Sequence, residues 1–291
     1  MINAPLAAKS HPDQQTIVKL NHKVAFGGEE LVIIGGPCTV ESTEQMETVA
    51  QKLQAAPVQA LRGGVFKPRT SPYGFQGMRE SGLEILAGVR DRYNIPVVTE
   101  VMAISQIEIV AAHADMLQVG SRNMQNFDLL KALGSAGKPV LLKRGLAATI
   151  EEFVMAAEYI ISYGNPDVVL CERGIRSFDN YTRNVLDLAA VAALKQITHL
   201  PVIVDPSHAV GLRELVAPVA KAAVACGADG LIIECHPEPE KSVSDARQAL
   251  SLEDMVNLVH NLVPVAAAVG RSISHTIGAG LKPAPICCSA A

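Results

Sequence analysis

The sequence predicts an α/β protein: a (β/α)8 TIM barrel with a short N-terminal β-hairpin extension and a C-terminal tail. Three observations carry this. Eight short apolar, β-branched runs recur along the chain, each followed by an amphipathic, helix-like stretch. The 291 residues are about what such a barrel needs. The runs are continuously apolar rather than alternating, as parallel strands buried on both faces require. A doubly wound open sheet is the rival, but no GxGxxG follows the first run.

Residues 1–15 are polar and read as loosely ordered. Residues 16–26 alternate apolar and polar, and Gly27-Gly28 then turns the chain toward the first run. This reads as a hairpin arm, placed to plug one end of the barrel or to meet another subunit. The eight β-runs are 31–38, 60–67, 96–101, 116–121, 139–144, 168–173, 202–208 and 230–236. Helical periodicity covers 43–55, 80–93, 105–112, 126–136, 149–163, 182–198, 210–226 and 252–269. The remainder is rich in Gly, Pro and Ala and reads as a surface extension. The expected organisation is an arm at 1–29, the barrel at 30–270 and a tail at 271–291.

Composition narrows the function classes. Hydrophobic residues make up 49% and charged residues 19%, which supplies a large core. Aromatics are only 4%, with no Trp, so small and β-branched residues carry the packing. The formal net charge of -4 offers no general attraction to nucleic acid or an anionic membrane. No apolar run reaches the length of a membrane span, and residues 1–15 lack the apolar core of a signal peptide. A cytoplasmic protein is expected. Cys38, Cys171, Cys226, Cys235, Cys287 and Cys288 are scattered and read as thiols rather than a disulfide framework.

Functional residues of such a barrel belong at the C-terminal ends of its strands. The polar residues fall there, in two constellations. One is cationic: Arg62, Lys67, Arg69, Arg122, Lys143, Arg144 and Arg173. Converging on one mouth, these charges repel unless anions lie between them, which implies phosphate and carboxylate groups and two anionic substrates. Arg144 taken alone reads as a structural ion pair. The other constellation is Cys38, His208, Glu234 and Asp245. One thiolate, one imidazole and two carboxylates suit a divalent transition metal acting as a Lewis acid. Taken singly, Cys38 reads as a small buried hydrophobe and His208 as a hydrogen-bonded core histidine. Spacing cannot establish a four-ligand site over such chain separations, and His236 is a competing ligand. Cys235 alternates to the opposite face from Glu234 and reads as core. The other histidines have no motif around them.

The motifs Gly35-Gly36-Pro37-Cys38, Arg62 through Lys67-Pro68-Arg69-Thr70-Ser71, Gly120-Ser121-Arg122, Leu142-Lys143-Arg144-Gly145, Cys171-Glu172-Arg173-Gly174, Asp205-Pro206-Ser207-His208 and Ile233-Glu234 through Ser244-Asp245 resemble the 3-deoxy-D-arabino-heptulosonate 7-phosphate (DAHP) synthases. The likeness is to their compact type I beta branch, related to the 3-deoxy-manno-octulosonate 8-phosphate synthases, and covers about residues 30–270. It implies a transferase of the shikimate pathway of aromatic amino acid and chorismate biosynthesis. Phosphoenolpyruvate, erythrose 4-phosphate and water would give DAHP and phosphate.

The resemblance implies that Cys38, His208, Glu234 and Asp245 bind a divalent metal, Mn2+ first, with Fe2+, Co2+ or Zn2+ as alternatives. It assigns Arg62, Lys67, Arg122, Lys143 and Arg173 to phosphoenolpyruvate, and Arg69, Thr70 and Ser71 to the sugar phosphate. Lys67, Glu100, Cys38 and His208 would act in catalysis, with Glu100 near the attacking water. An octulosonate synthase, or a paralogue using another aldose phosphate, is the alternative. A metabolite-binding sensor barrel and a Schiff-base aldolase using Lys143 are further rivals. No nucleic acid or membrane partner is expected, and a homodimer or homotetramer is. About 30 residues precede the first strand and one helix with a tail ends the chain, so neither a fused regulatory domain nor a chorismate mutase is expected, nor feedback inhibition through such a domain.

Overall fold

The computed structural model describes residues 2–67, 71 and 73–274. Eight parallel strands form the predicted barrel: β3 (Val32–Gly36), β4 (Ala60–Arg62), β5 (Val97–Glu100), β6 (Met116–Val119), β7 (Val140–Lys143), β8 (Val168–Glu172), β9 (Val202–Val204) and β10 (Gly230–His236). Each pairs with the next, and β10 pairs with both β9 and β3, which closes the ring. A ninth strand, β11 (Leu250–Ser251), extends β10 on the outside.

The outer helices are α1 (Thr43–Leu53), α2 (Glu80–Tyr93), α3 (Ile107–His113), α4 (Phe127–Leu133), α5 (Ile150–Ser162), α6 (Leu188–Ile197), α8 (Arg213–Ala225) and α9 (Leu252–Ala268). Their starts follow ordinary capping chemistry. Thr149 and Glu152 form a reciprocal capping box on α5, and Ser42 and Ser251 cap α1 and α9. One further short helix, α7 (Pro206–Val210), sits at the barrel mouth.

Two cores follow from strand alternation. The outer one lies between strands and helices. The inner one contains Val32, Ile34, Ala60, Val98, Met116, Leu141, Val169, Ile203 and Ile232 from successive strands. Val18, Leu20, Val24 and Phe26 belong to this inner core. They come from the N-terminal hairpin, β1 (Val18–Lys19) and β2 (Ala25–Phe26). The arm therefore plugs the barrel. It does so at the end opposite the mouth, where Thr16 donates its amide to His199 O just before β9.

Several expectations change. The hairpin turns at Asn21, whose Oδ1 accepts the amides of Lys23 and Val24, and Gly27-Gly28 is only its connection to the barrel. Residues 2–15 are docked rather than loose: Ala4 and Ala7 are buried, and the Glu158 carboxylate accepts the amides of Leu6 and Ala7. Helix α6 begins at Leu188, not 182, because Asp187 caps it and the preceding residues are tied to α7. The first tail residues are also anchored, with Arg271 paired to Asp229 at 3.2 Å. Residues 275–291, with Cys287 and Cys288, lie outside the described residues. No described helix is long and apolar enough to cross a membrane.

Candidate active site

The strand ends converge as predicted. Cys38 lies just past β3 and Glu234 lies within β10. His208 sits in α7, and Asp245 in the loop after β10. One donor atom from each falls within 4.8 Å of the others. Cys38 Sγ donates to Asp245 Oδ2 at 3.1 Å, and His208 Nε2 lies 3.5 Å from Glu234 Oε2.

Local chemistry sets these positions. Asp205 caps α7 and Pro206 occupies its first turn, which fixes where His208 points. His208 Nδ1 lies 2.8 Å from Asp205 Oδ2. With Nδ1 donating to this carboxylate, Nε2 keeps its lone pair for the cluster. Cys38 is held through its backbone, where its carbonyl accepts the amide of Gly64 and the ammonium of Lys67.

The four side chains fit a divalent transition metal. Their donors are one sulfur, one imidazole nitrogen and two carboxylates, a borderline set. Glu234 Oε1 is buried with no hydrogen-bond partner, a cost the fold bears only if something else satisfies it. Burial, reinforced by Asp245, pushes the Glu234 carboxyl up to about 7, and burial and Glu234 raise the Cys38 thiol. Burial lowers the His208 imidazole to about 3, so it is the neutral ligand form. Burial opposes ionisation of Asp205 too, but His208 and Lys143 outweigh it and hold the carboxyl well below its usual range.

A cavity of about 280 Å³ opens beside this cluster. Seven described cations line it: Arg62, Lys67, Arg122, Lys143, Arg173, Arg176 and Arg183, against the carboxylates of Glu100 and Asp245. Arg62 Nη1 is buried with no hydrogen-bond partner, an unfilled donor for an anion. Arg62, Arg122 and Arg173 form no ion pair among the described residues, while Lys143 is paired with Asp205. Lys67 Nζ lies 2.9 Å from Cys38 Sγ, at the junction of cavity and cluster. Glu100 is held by Gln118 Nε2 at 3.3 Å and packs into the space over Gly120. A Cβ on Gly120 would meet Glu100 Oε1 at 2.2 Å.

The cluster of metal-capable side chains thus lies against a cation-lined cavity on the C-terminal face of a closed barrel. The model of the DAHP synthetase I family covers residues 15–269. The chain belongs to this family. A phospho-2-dehydro-3-deoxyheptonate aldolase of Thermotoga maritima is 48% identical over 264 residues, covering 91% of this chain and 78% of that protein. A 2-dehydro-3-deoxyphosphooctonate aldolase of Granulibacter bethesdensis is 35% identical over 258 residues, covering 82% and 90%. The crystal structure of the Thermotoga maritima DAHP synthase superposes with a TM-score of 0.90 at 45% identity, over 94% of this chain and 80% of that one. A truncated form of that synthase superposes at 0.87, over 93% and 99%.

In this DAHP synthetase I family chain the structure gathers Arg62, Lys67, Glu100, Arg122, Lys143, Arg173, His208 and Asp245 around one cavity, with Cys38 and Glu234 behind it. Arg69 and Thr70 lie outside the described residues. Ser71 is on an exposed turn, where its Oγ accepts the Tyr73 amide, and it does not line the cavity. Arg144 faces the other way, paired with Glu172 at 2.8 Å and Asp187 at 3.1 Å, as a structural ion pair. His236 is not among the clustered donors; its Nε2 lies 3.4 Å from Glu41 Oε1. Cys235 is core. The sequence reading named Asp205 only within a motif, without a role, and passed over Gln118, Arg176, Arg183 and Gln248. Asp205 had a legible signal, an Asp-Pro helix start two residues before the histidine. The others show themselves only through contacts made in three dimensions.

Proposed function

We propose that this chain performs the family's reaction: condensation of phosphoenolpyruvate with erythrose 4-phosphate and water to give DAHP and phosphate. The observation that carries the reading is the seven-cation cavity directly against the Cys38, His208, Glu234 and Asp245 cluster. Two phosphorylated anions and one Lewis acid account for both halves. In the proposed organisation, residues 30–270 are the catalytic barrel, 1–29 the arm that plugs it, and 271–291 a tail.

Arg62, Arg122, Lys143 and Arg173 hold phosphoenolpyruvate by its phosphate and carboxylate. The guanidiniums supply fork-shaped donors that match such groups. Arg69 and Thr70 take the sugar phosphate, and Ser71, on its exposed turn away from the cavity, is left without a contact. The metal, proposed as Mn2+ with Fe2+, Co2+ or Zn2+ as alternatives, supplies Lewis-acid polarisation of the aldehyde. Lys67 donates to the same aldehyde oxygen and stabilises the negative charge that develops as C3 of phosphoenolpyruvate attacks. Glu100, which lines the same cavity close to Lys67, orients the water that adds at C2 before phosphate leaves. Most of the acceleration then comes from positioning and fixed charge. A Schiff-base role for Lys143 is disfavoured because Asp205 engages its ammonium.

The test is turnover of purified protein with erythrose 4-phosphate and, separately, arabinose 5-phosphate. DAHP formation is expected with the first; octulosonate 8-phosphate formation with the second alone would transfer the chain to the other branch. Cys38→Ala should lose metal-dependent turnover and keep its fold, and full activity in that variant or under a strong chelator would sink the metal assignment. We also propose a homodimer or homotetramer, by the family resemblance; a monomer in sedimentation velocity would contradict it.

A further inference from the structure

After β8 the chain crosses the barrel mouth as a strap before α6 begins. Its base is pinned by the Ile175–Val185 bridge. Arg183 and Asn184 then run along α7, donating their amides to Val210 O at 2.9 Å and Ala209 O at 2.8 Å. Asn184 Nδ2 also donates to the carbonyl of His208 at 3.0 Å. Gly211, at φ 69, leaves the room this needs: a Cβ there would lie 2.5 Å from Arg183 Cβ.

The strap delivers Arg183 to the back of the metal cluster. Arg183 Nη1 donates to Asp245 Oδ1 and to Gln248 Oε1, each at 3.0 Å. The other end of that amide, Gln248 Nε2, donates to Glu234 Oε2 at 2.7 Å. One guanidinium and one buried amide thus tie together the two carboxylates of the cluster. Asp245 needs such a hold because it is a non-glycine residue at φ 57, in the left-handed region. Arg183 takes Asp245 Oδ1 and leaves Oδ2 to Cys38, while Gln248 holds the Glu234 oxygen nearest His208 and leaves Oε1 buried without a partner.

We propose that Arg183 and Gln248 are positioning residues that hold Asp245 and Glu234 in the geometry that binds the divalent ion. The inference rests on the metal-dependent reading above. Outer hydrogen bonds to metal-binding side chains orient them, and their loss typically weakens metal affinity about 10–100-fold. Arg183 also lines the cavity, so the rival role is contact with a substrate phosphate.

The experiment measures Mn2+ affinity of the metal-free full chain by competition with a chromophoric chelator, alongside KM for both substrates at saturating Mn2+. Arg183→Met and Gln248→Met are each expected to weaken Mn2+ binding about 10–100-fold, with substrate KM values unchanged and the metal-free protein still folded by circular dichroism. Arg183→Lys should recover part of the affinity, because an ammonium still reaches Asp245. The double variant should lose less than the product of the single losses, because both act through one network. Wild-type Mn2+ affinity in Arg183→Met with a raised KM for erythrose 4-phosphate would overturn the assignment and make Arg183 a substrate contact. A wild-type chain that binds no divalent ion would overturn this inference together with the metal reading beneath it.

Discussion

Asp205→Asn removes a charge and almost no volume, which makes it a clean test of how the mouth is wired. Asp205 is fully buried. Its Oδ1 accepts the His208 amide at the start of α7, and an asparagine oxygen can keep that bond. Its Oδ2 accepts His208 Nδ1 and the Lys143 ammonium. An asparagine amide in that place turns an acceptor into a donor facing two donors. Lys143 is then a buried cation without a counter-charge. Breaking a buried pair by removing one partner costs about 3–5 kcal/mol, a large share of a typical folding free energy of about 5–15 kcal/mol. His208 also loses the partner that fixes its tautomer, which predicts a further loss of metal affinity of about 10–100-fold.

The assay is urea unfolding of the metal-free protein, with a metal titration in parallel. The sign with pH is set by the lowered carboxyl. Asp205 is more acidic in the fold than in the unfolded chain, so its contribution is present above about pH 4 and drains away as pH falls toward the folded value. The gap between wild type and Asp205→Asn should therefore be constant from about pH 6 to 8 and narrow only in acid. Adding Lys143→Met to Asp205→Asn should restore stability, because the stranded charge is gone. A destabilisation below about 1 kcal/mol with unchanged metal affinity would refute the reasoning, since a buried pair with an intact counter-ion cannot be that cheap to break.

Two further outcomes follow from the same geometry. Gly120→Ala places a methyl where Glu100 Oε1 now lies, at 2.2 Å, so Glu100 must swing away; kcat should collapse while stability falls by about 1–3 kcal/mol, and near-wild-type kcat would remove Glu100 from the water-handling role. Metal binding must strip protons from the Cys38 thiol, raised by burial, and from the Glu234 carboxyl at about 7; apparent affinity should rise with pH through neutrality, with proton release seen by calorimetry in buffers of different ionisation enthalpy, and a flat profile would contradict the ligand set.

The barrel was legible because its strands are buried on both faces and their apolar runs stop abruptly at Gly, Pro or charge. Parallel strand ends then put Lys67, Arg122, Lys143 and Arg173 on one rim by topology alone, without any knowledge of distance. Residue type alone offered Cys38, His208, Glu234 and Asp245 as a metal-capable set, but chain separation kept them from being read as one site without the family resemblance. Local capping signals for α7 were present in Asp205-Pro206 and Gly211, yet a five-residue helix is too short to show periodicity. The strap at 182–187 was read as helix because its composition is neutral. Its non-helical course is imposed by bonds to α7, which no local window contains. The same holds for residues 2–15, whose polar composition hid the fact that Glu158 accepts their amides.

The cations at the mouth divide by what the protein itself supplies as counter-charge. Lys143 ends β7 and Arg144 follows it, the two point to opposite faces, and each has a protein carboxylate. Arg62, Arg122 and Arg173 have none among the described residues, and Arg62 carries a buried unpaired donor. Self-repulsion among them is a cost to the fold that nearby carboxylates such as Glu234 and Asp205 offset in part and that entering anions relieve further. That cost has a use. The inner core and the hairpin plug close the floor of the barrel, so the charges face the cavity from a low-dielectric wall. A guanidinium fixed there needs little reorganisation when a phosphate arrives, whereas one already paired with a carboxylate would first have to be freed. The pairing of Lys143 with Asp205 is the exception that organises the rest, because the same carboxylate orients His208. Through Asp205, the cationic cavity and the metal cluster share one buried charge, so a change in either is felt by the other.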